Sequence, residues 1–114
     1  MIRRGEVYWA QLDPTIGAEI KKTRPILIVS NDQNNQFSEL ITVLPITSKV
    51  KVVRPFEVQL TEGQGGLKEA GKVKVNQIRT VDKRRLLGTP LGPRLNGKVM
   101  DQVAQALKIH LAIS

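Results

Sequence analysis

The chain has 114 residues, 40% of them hydrophobic, which is enough for a single core and too little for two, so residues 1–114 are expected to form one domain. Lysine and arginine total 18 against 10 aspartates and glutamates, a formal charge of +8 that favours an acidic partner such as RNA, DNA or an acidic protein. No cysteine is present, no apolar run is long enough for a membrane, and nothing at the N-terminus resembles a signal peptide, so disulfides and thiolate metal sites are excluded and the cytoplasm is the expected address.

The predicted elements are mostly strands. Residues 6–12, "EVYWAQL", alternate well enough for a first one. Residues 24–30 form a continuous Ile- and Val-rich run that suits a strand buried on both faces, and Asn31-Asp32 can cap a helical turn after it. Three more strands are predicted at 40–46, 56–60 and 72–78, with Pro45 and Pro55 at strand edges and "EGQGG" at 62–66 as a loop. The period then changes: Asn96 is a good N-cap, and Val99, Val103, Leu107 and Leu111 recur at i, i+4, predicting one amphipathic helix over 97–112. Five short strands with a terminal helix predict a mostly β fold, a small curved SH3-like barrel that hides its edges by curling on itself.

The chemistry is bounded by what is missing. A single histidine, His110, rules out a histidine-based metal cluster, and "GQGG" lacks the context of a phosphate-binding loop, so no cofactor and no metal are expected. His110 falls on the apolar stripe of the helix, where a packed or interface histidine is the expected occupant rather than a general base. Cations and hydroxyls near strand ends remain. Arg24 precedes Pro25, which biases its backbone to the extended form; Thr47-Ser48 follows "ITVLPI", and Arg79-Thr80 follows "VKVNQI". Taken singly, each also reads as an arginine bridging to Glu19 or Asp82, or a threonine capping a turn.

Their order is more specific. Gly5-Glu6-Val7-Tyr8-Trp9, Gly17-Ala18-Glu19 leading to Arg24-Pro25, Thr47-Ser48, and Gln77-Ile78-Arg79-Thr80 before Asp82-Lys83 and Arg85-Leu86 resemble, over essentially the whole chain, the MazF/PemK family of toxin endoribonucleases. The resemblance implies an SH3-like barrel acting as a homodimer. It further implies metal-independent cleavage of single-stranded RNA, and silencing by an antitoxin protein whose acidic, disordered segment folds into the active groove. The family's catalytic arginine and threonine correspond to Arg24 and Thr47.

Metal-free RNA cleavage proceeds by attack of the neighbouring 2′-hydroxyl on phosphorus. The Arg24 guanidinium suits the charge that then develops on the phosphoryl oxygens, with Thr47 adding a hydrogen bond. Arginine is a poor general base at neutral pH, which leaves Glu19 as the nearby carboxylate for that role. RNA selection is expected from the 13–23 loop, including Thr15, and from Asn76 and Gln77, whose amides can pair with splayed bases. Lys21, Lys22, Ser48, Lys49, Lys74 and Arg79 are expected RNA contacts, mostly to phosphate. Two departures stand out: Asn76 replaces a commonly acidic residue, and Ile20-Lys21 replaces a frequent Gln-Gly, so base preference does not transfer from relatives. The alternatives are a gyrase-binding toxin of the same fold, disfavoured because the chain ends "HLAIS" and its one tryptophan is Trp9, or a non-catalytic RNA-binding module.

Overall fold

Strand β3 (Leu40–Thr47) organises the computed structural model, which describes residues 1–114. Around it, in chain order, run β1 (Val7–Gln11), β2 (Thr23–Ile28), α1 (Asp32–Phe37), then after β3 the strands β4 (Glu57–Leu60), β5 (Gly71–Lys74), β6 (Arg79–Asp82) and β7 (Leu86–Leu87), and finally α2 (Gly97–Leu111). Every pairing is antiparallel. The sheet path is β4-β5-β3-β2-β1-β7, with β6 also on β3. The mostly β, SH3-like class with a C-terminal helix is the one expected. The barrel is curled but not closed, since β4 and β7 are the two ends of the path.

Side-chain alternation along the strands builds two cores, one on each face. Leu27, Leu44 and Ile46 enter the larger cluster, which α2 covers with Val99, Val103 and Ala106. Ile26, Ile28, Ile41 and Val43 enter the smaller one with Tyr8, Ala10 and Leu12. Strand β2 is therefore buried on both faces along Ile26, Leu27 and Ile28, as its unbroken apolar run predicts.

Both predicted caps form: Asn31 accepts from the Asn34 N–H at 2.7 Å, and Asn96 accepts from the Val99 N–H at 2.9 Å. Other expectations need correcting. The predicted strand at 72–78 is β5, broken after Lys74 by a 3₁₀ turn, Val75–Gln77, beyond which β6 resumes. Both pieces lie along β3, with β6 on Leu40–Val43 and β5 on Ile46 and Thr47. Pro45 is not at an edge but inside β3, opposite Ile26, in the short interval paired by neither β5 nor β6. His110 is exposed rather than packed, because the last buried residue of α2 is Ala106 and the final turn overhangs the core.

The turn at Gly66 packs closely against the backbone at Leu91. Gly66 has φ +87°, and a Cβ there would lie 2.3 Å from the Leu91 carbonyl. Left-handed backbone strain and a clash with backbone that cannot rotate away act together. Gly66→Ala is expected to cost about 3 kcal/mol or more, read as a drop of at least about 10 °C in Tm.

Candidate active site

The β2–β3 register runs Ile28–Val43, Leu27–Leu44, Ile26–Pro45. Beyond it the two strand ends pair with other neighbours, Arg24 with Ala10 of β1 and Thr47 with Lys72 of β5. Arg24 and Thr47 line one cavity of about 620 Å³, together with Ser48, Lys49 and Trp9. Pro25 holds Arg24 in the extended backbone of β2, and two buried faces fix the strand behind it.

Arg24 is exposed and forms no ion pair; its one intramolecular hydrogen bond is a long one, 3.4 Å, from Nη1 to the Thr23 carbonyl. The alternative of an arginine bridging to Glu19 or Asp82 is not realised, and Asp82 pairs instead with Arg84 at 3.0 Å. Thr47 is half-buried, and its Oγ1 accepts from the Lys49 N–H at 3.3 Å, leaving its hydroxyl proton free to donate. A free guanidinium, a free hydroxyl proton and flanking lysines make a cleft suited to an anion with several oxygens.

The remaining sequence-predicted residues divide. Glu19, Asn76, Gln77 and Arg79 line a second cavity of about 340 Å³. Gln77 Oε1 accepts from the Ile20 N–H at 2.7 Å and ties the 13–22 loop to the 3₁₀ turn. The Glu19 carboxylate caps its own loop by accepting from the Ile16 N–H at 2.5 Å. It is not brought into the cavity of Arg24 and Thr47. Thr15 donates to Asp13 at 3.3 Å, and Lys21 is exposed on the same loop. Arg79 Nη1 is buried with no acceptor, a polar atom left for something outside the chain or for a shifted neighbour.

Lys74 stands apart. Its Nζ lies 2.5 Å from Glu57 Oε2, and the carboxylate side chain is fully buried, so this lysine is committed to a partner inside the chain. Trp9, Lys68 and Glu69 also line the first cavity, although none of them was predicted as a site residue. The signal for the last two was weak, a charged pair following the buried Leu67. For Trp9 it was an aromatic at an outward position of β1, opposite Pro25. No three of His, Asp and Glu gather in a way that could hold a metal ion.

The fold is a curled half-barrel under a C-terminal helix, with an unpaired arginine and a threonine on one cation-flanked cleft. The chain belongs to the PemK-like, MazF-like toxins of type II toxin-antitoxin systems, whose family model matches residues 3–111. It is 40% identical to Endoribonuclease MazF9 of Mycobacterium tuberculosis, with 97% of each chain covered. It is 36% identical to Endoribonuclease EndoA of Bacillus subtilis, covering 99% of this chain and 97% of that one. Among solved structures, MazF from Deinococcus radiodurans superposes with a TM-score of 0.83 at 28% identity, over 97% of this chain and 96% of that one. A mycobacterial endoribonuclease in complex with its cognate antitoxin superposes with a TM-score of 0.80 at 25% identity, over 100% and 98%.

Proposed function

We propose that the protein is the toxin of a type II pair and a sequence-specific endoribonuclease that cuts single-stranded RNA without a metal. The observation that carries this is that the unpaired Arg24 and Thr47 line one cleft, in a chain closely related to two proteins named as endoribonucleases.

In this reading the 2′-hydroxyl oxygen attacks the adjacent phosphorus and the bond to the 5′-oxygen breaks. The products are a 2′,3′-cyclic phosphate and a 5′-hydroxyl, the proton lost from the 2′-hydroxyl being balanced by one gained at the leaving oxygen. Arg24 makes two parallel hydrogen bonds to the phosphoryl oxygens as their charge grows, and Thr47 donates a third. Glu19 takes the 2′-hydroxyl proton once RNA draws the 13–22 loop and its carboxylate across from the neighbouring cavity. Lys21, Ser48, Lys49 and Arg79 contact the backbone, while Thr15, Asn76 and Gln77 read bases around the second cavity.

The same basic cleft accepts an acidic, disordered segment of a cognate antitoxin; a similar mycobacterial endoribonuclease solved in complex with its cognate antitoxin supports an antitoxin partner. The toxin works as a homodimer in the cytoplasm. Supporting self-association, Trp9 and Leu87 are paired neighbours near the β7 end of the sheet and each is 45% exposed. No helix is long and apolar enough to cross a membrane.

The test is incubation of the purified protein with a long unstructured RNA in excess EDTA, with the fragment ends mapped. Discrete cuts ending in cyclic phosphate are expected. Intact RNA, or cutting that returns only with added metal, overturns the reading.

A further inference from the structure

Nine residues, 48–56, connect β3 to β4 without regular structure. Packing does little to hold this connection, because its valines at 52 and 53 are 57% and 40% exposed. Hydrogen bonds hold it at three points. Near its start the Lys49 N–H donates to Thr47 Oγ1 at 3.3 Å. In the middle Lys72 Nζ donates to the Val52 carbonyl at 2.6 Å. Towards its end the Arg54 N–H donates to Glu57 Oε1 at 3.0 Å, and the Glu57 N–H returns a bond to the Arg54 carbonyl at 2.9 Å.

The second and third points run through one charge cluster. Lys72 Nζ is 3.0 Å from Glu57 Oε1 and Lys74 Nζ is 2.5 Å from Oε2, with side-chain exposures of 11% and 20% for the lysines and 0% for the glutamate. As a link between β4 and β5 alone the cluster is an expensive choice, since apolar residues of similar volume hold two strands at least as well. Its lysine ammonium does what an apolar residue cannot: it grips a carbonyl of the connection. Lys72 is also the direct cross-strand partner of Thr47, so the cluster sits one residue pair from the cleft.

We propose that Glu57, Lys72 and Lys74 are positioning residues: they clamp the 48–56 connection, and so hold Ser48 and Lys49 at the wall of the RNA-binding cleft. This rests on the ribonuclease reading above. The clamp acts on RNA binding through Ser48 and Lys49; Arg24 stands on β2, which pairs with β1 and β3 and not with the strands of the clamp.

The deciding variant is Lys72→Met, which keeps the apolar stem and the Glu57–Lys74 pair and removes the bond to Val52. Native-state trypsin is expected to nick it after Lys49 and Lys51 at least about tenfold faster than the wild type, because a released connection opens without global unfolding. KM for single-stranded RNA is expected to rise about fivefold or more, with kcat within about twofold. Lys72→Arg, which restores a cationic donor, brings both back towards wild type. Unchanged nicking in 48–56, or a fall in kcat accompanied by nicking spread over the chain, overturns the proposal. Should Lys72→Met not fold, Lys72→Gln carries the same comparison. A wild type that cuts no RNA overturns the ribonuclease reading instead; nicking, with affinity for the same RNA in place of KM, then still decides the clamp.

Discussion

Arg24→Ala is expected to lower kcat for RNA cleavage by about 10²–10³-fold, the range found when one preorganised donor to a developing oxyanion is removed. In the proposed mechanism the loss falls on kcat, because the guanidinium's two hydrogen bonds would strengthen as charge gathers on the phosphoryl oxygens, and KM moves less because several lysines would share the binding. Folding is expected to be nearly untouched. Arg24 is exposed, forms no ion pair, and gives up only one long hydrogen bond to its neighbour's carbonyl. Arg24→Lys is expected to recover only part of the rate, because an ammonium is a point charge that cannot match two oxygens in parallel. Glu19→Gln, in the neighbouring cavity, is expected to lose less than Arg24→Ala. Single-turnover cleavage with thermal melts of each variant measures all three, and an Arg24→Ala protein that cuts within about threefold of wild type removes the arginine from the chemistry.

The second large effect is on stability, at Glu57. Burial on its own pushes this carboxyl up; the hydrogen bonds from Lys74 Nζ, the Arg54 N–H and Lys72 Nζ outweigh it and bring the pKa from 4.5 down to about 2. A folded-state pKa below the unfolded one means stability that is present above about pH 4.5 and lost as pH falls towards 2. The shift corresponds to on the order of 3 kcal/mol. Glu57→Gln keeps the shape but leaves two poorly exposed ammonium groups without a counter-charge, at an expected cost of about 3–5 kcal/mol at pH 7. Urea unfolding from pH 7 to pH 2.5 checks both halves: the wild type should converge on the variant as acid is added. Parallel pH curves would show that Glu57 is not the residue whose protonation matters.

Local signals in the chain were readable because local chemistry decides them. Asn31 and Asn96 start helices through their own side chains, and the run after Pro25 is apolar at every position because both faces of β2 are covered. The Arg24 and Thr47 pair was legible through resemblance, and the fold brings both to the lining of one cavity. What sequence did not reveal depends on partners distant along the chain. Lys74 looked like a phosphate contact, but Glu57, 17 residues earlier, holds it. Glu19 lies five positions before Arg24 yet opens to a different cavity, because Gln77, 57 residues from Ile20, draws the loop the other way. Strand β7, only Leu86–Leu87, is too short to show a period at all.

The double burial of β2 also governs how the molecule breathes. Amides at Ile26, Leu27 and Ile28 lie between two cores, so their hydrogens should exchange with solvent only when the whole domain opens. Segments 13–22 and 48–56, held by a few hydrogen bonds each, open at far smaller cost. Arg24 thus projects from the least yielding strand while the segments proposed to meet RNA can adapt, so a partner that remodels this groove would do so by moving its walls around a stationary guanidinium.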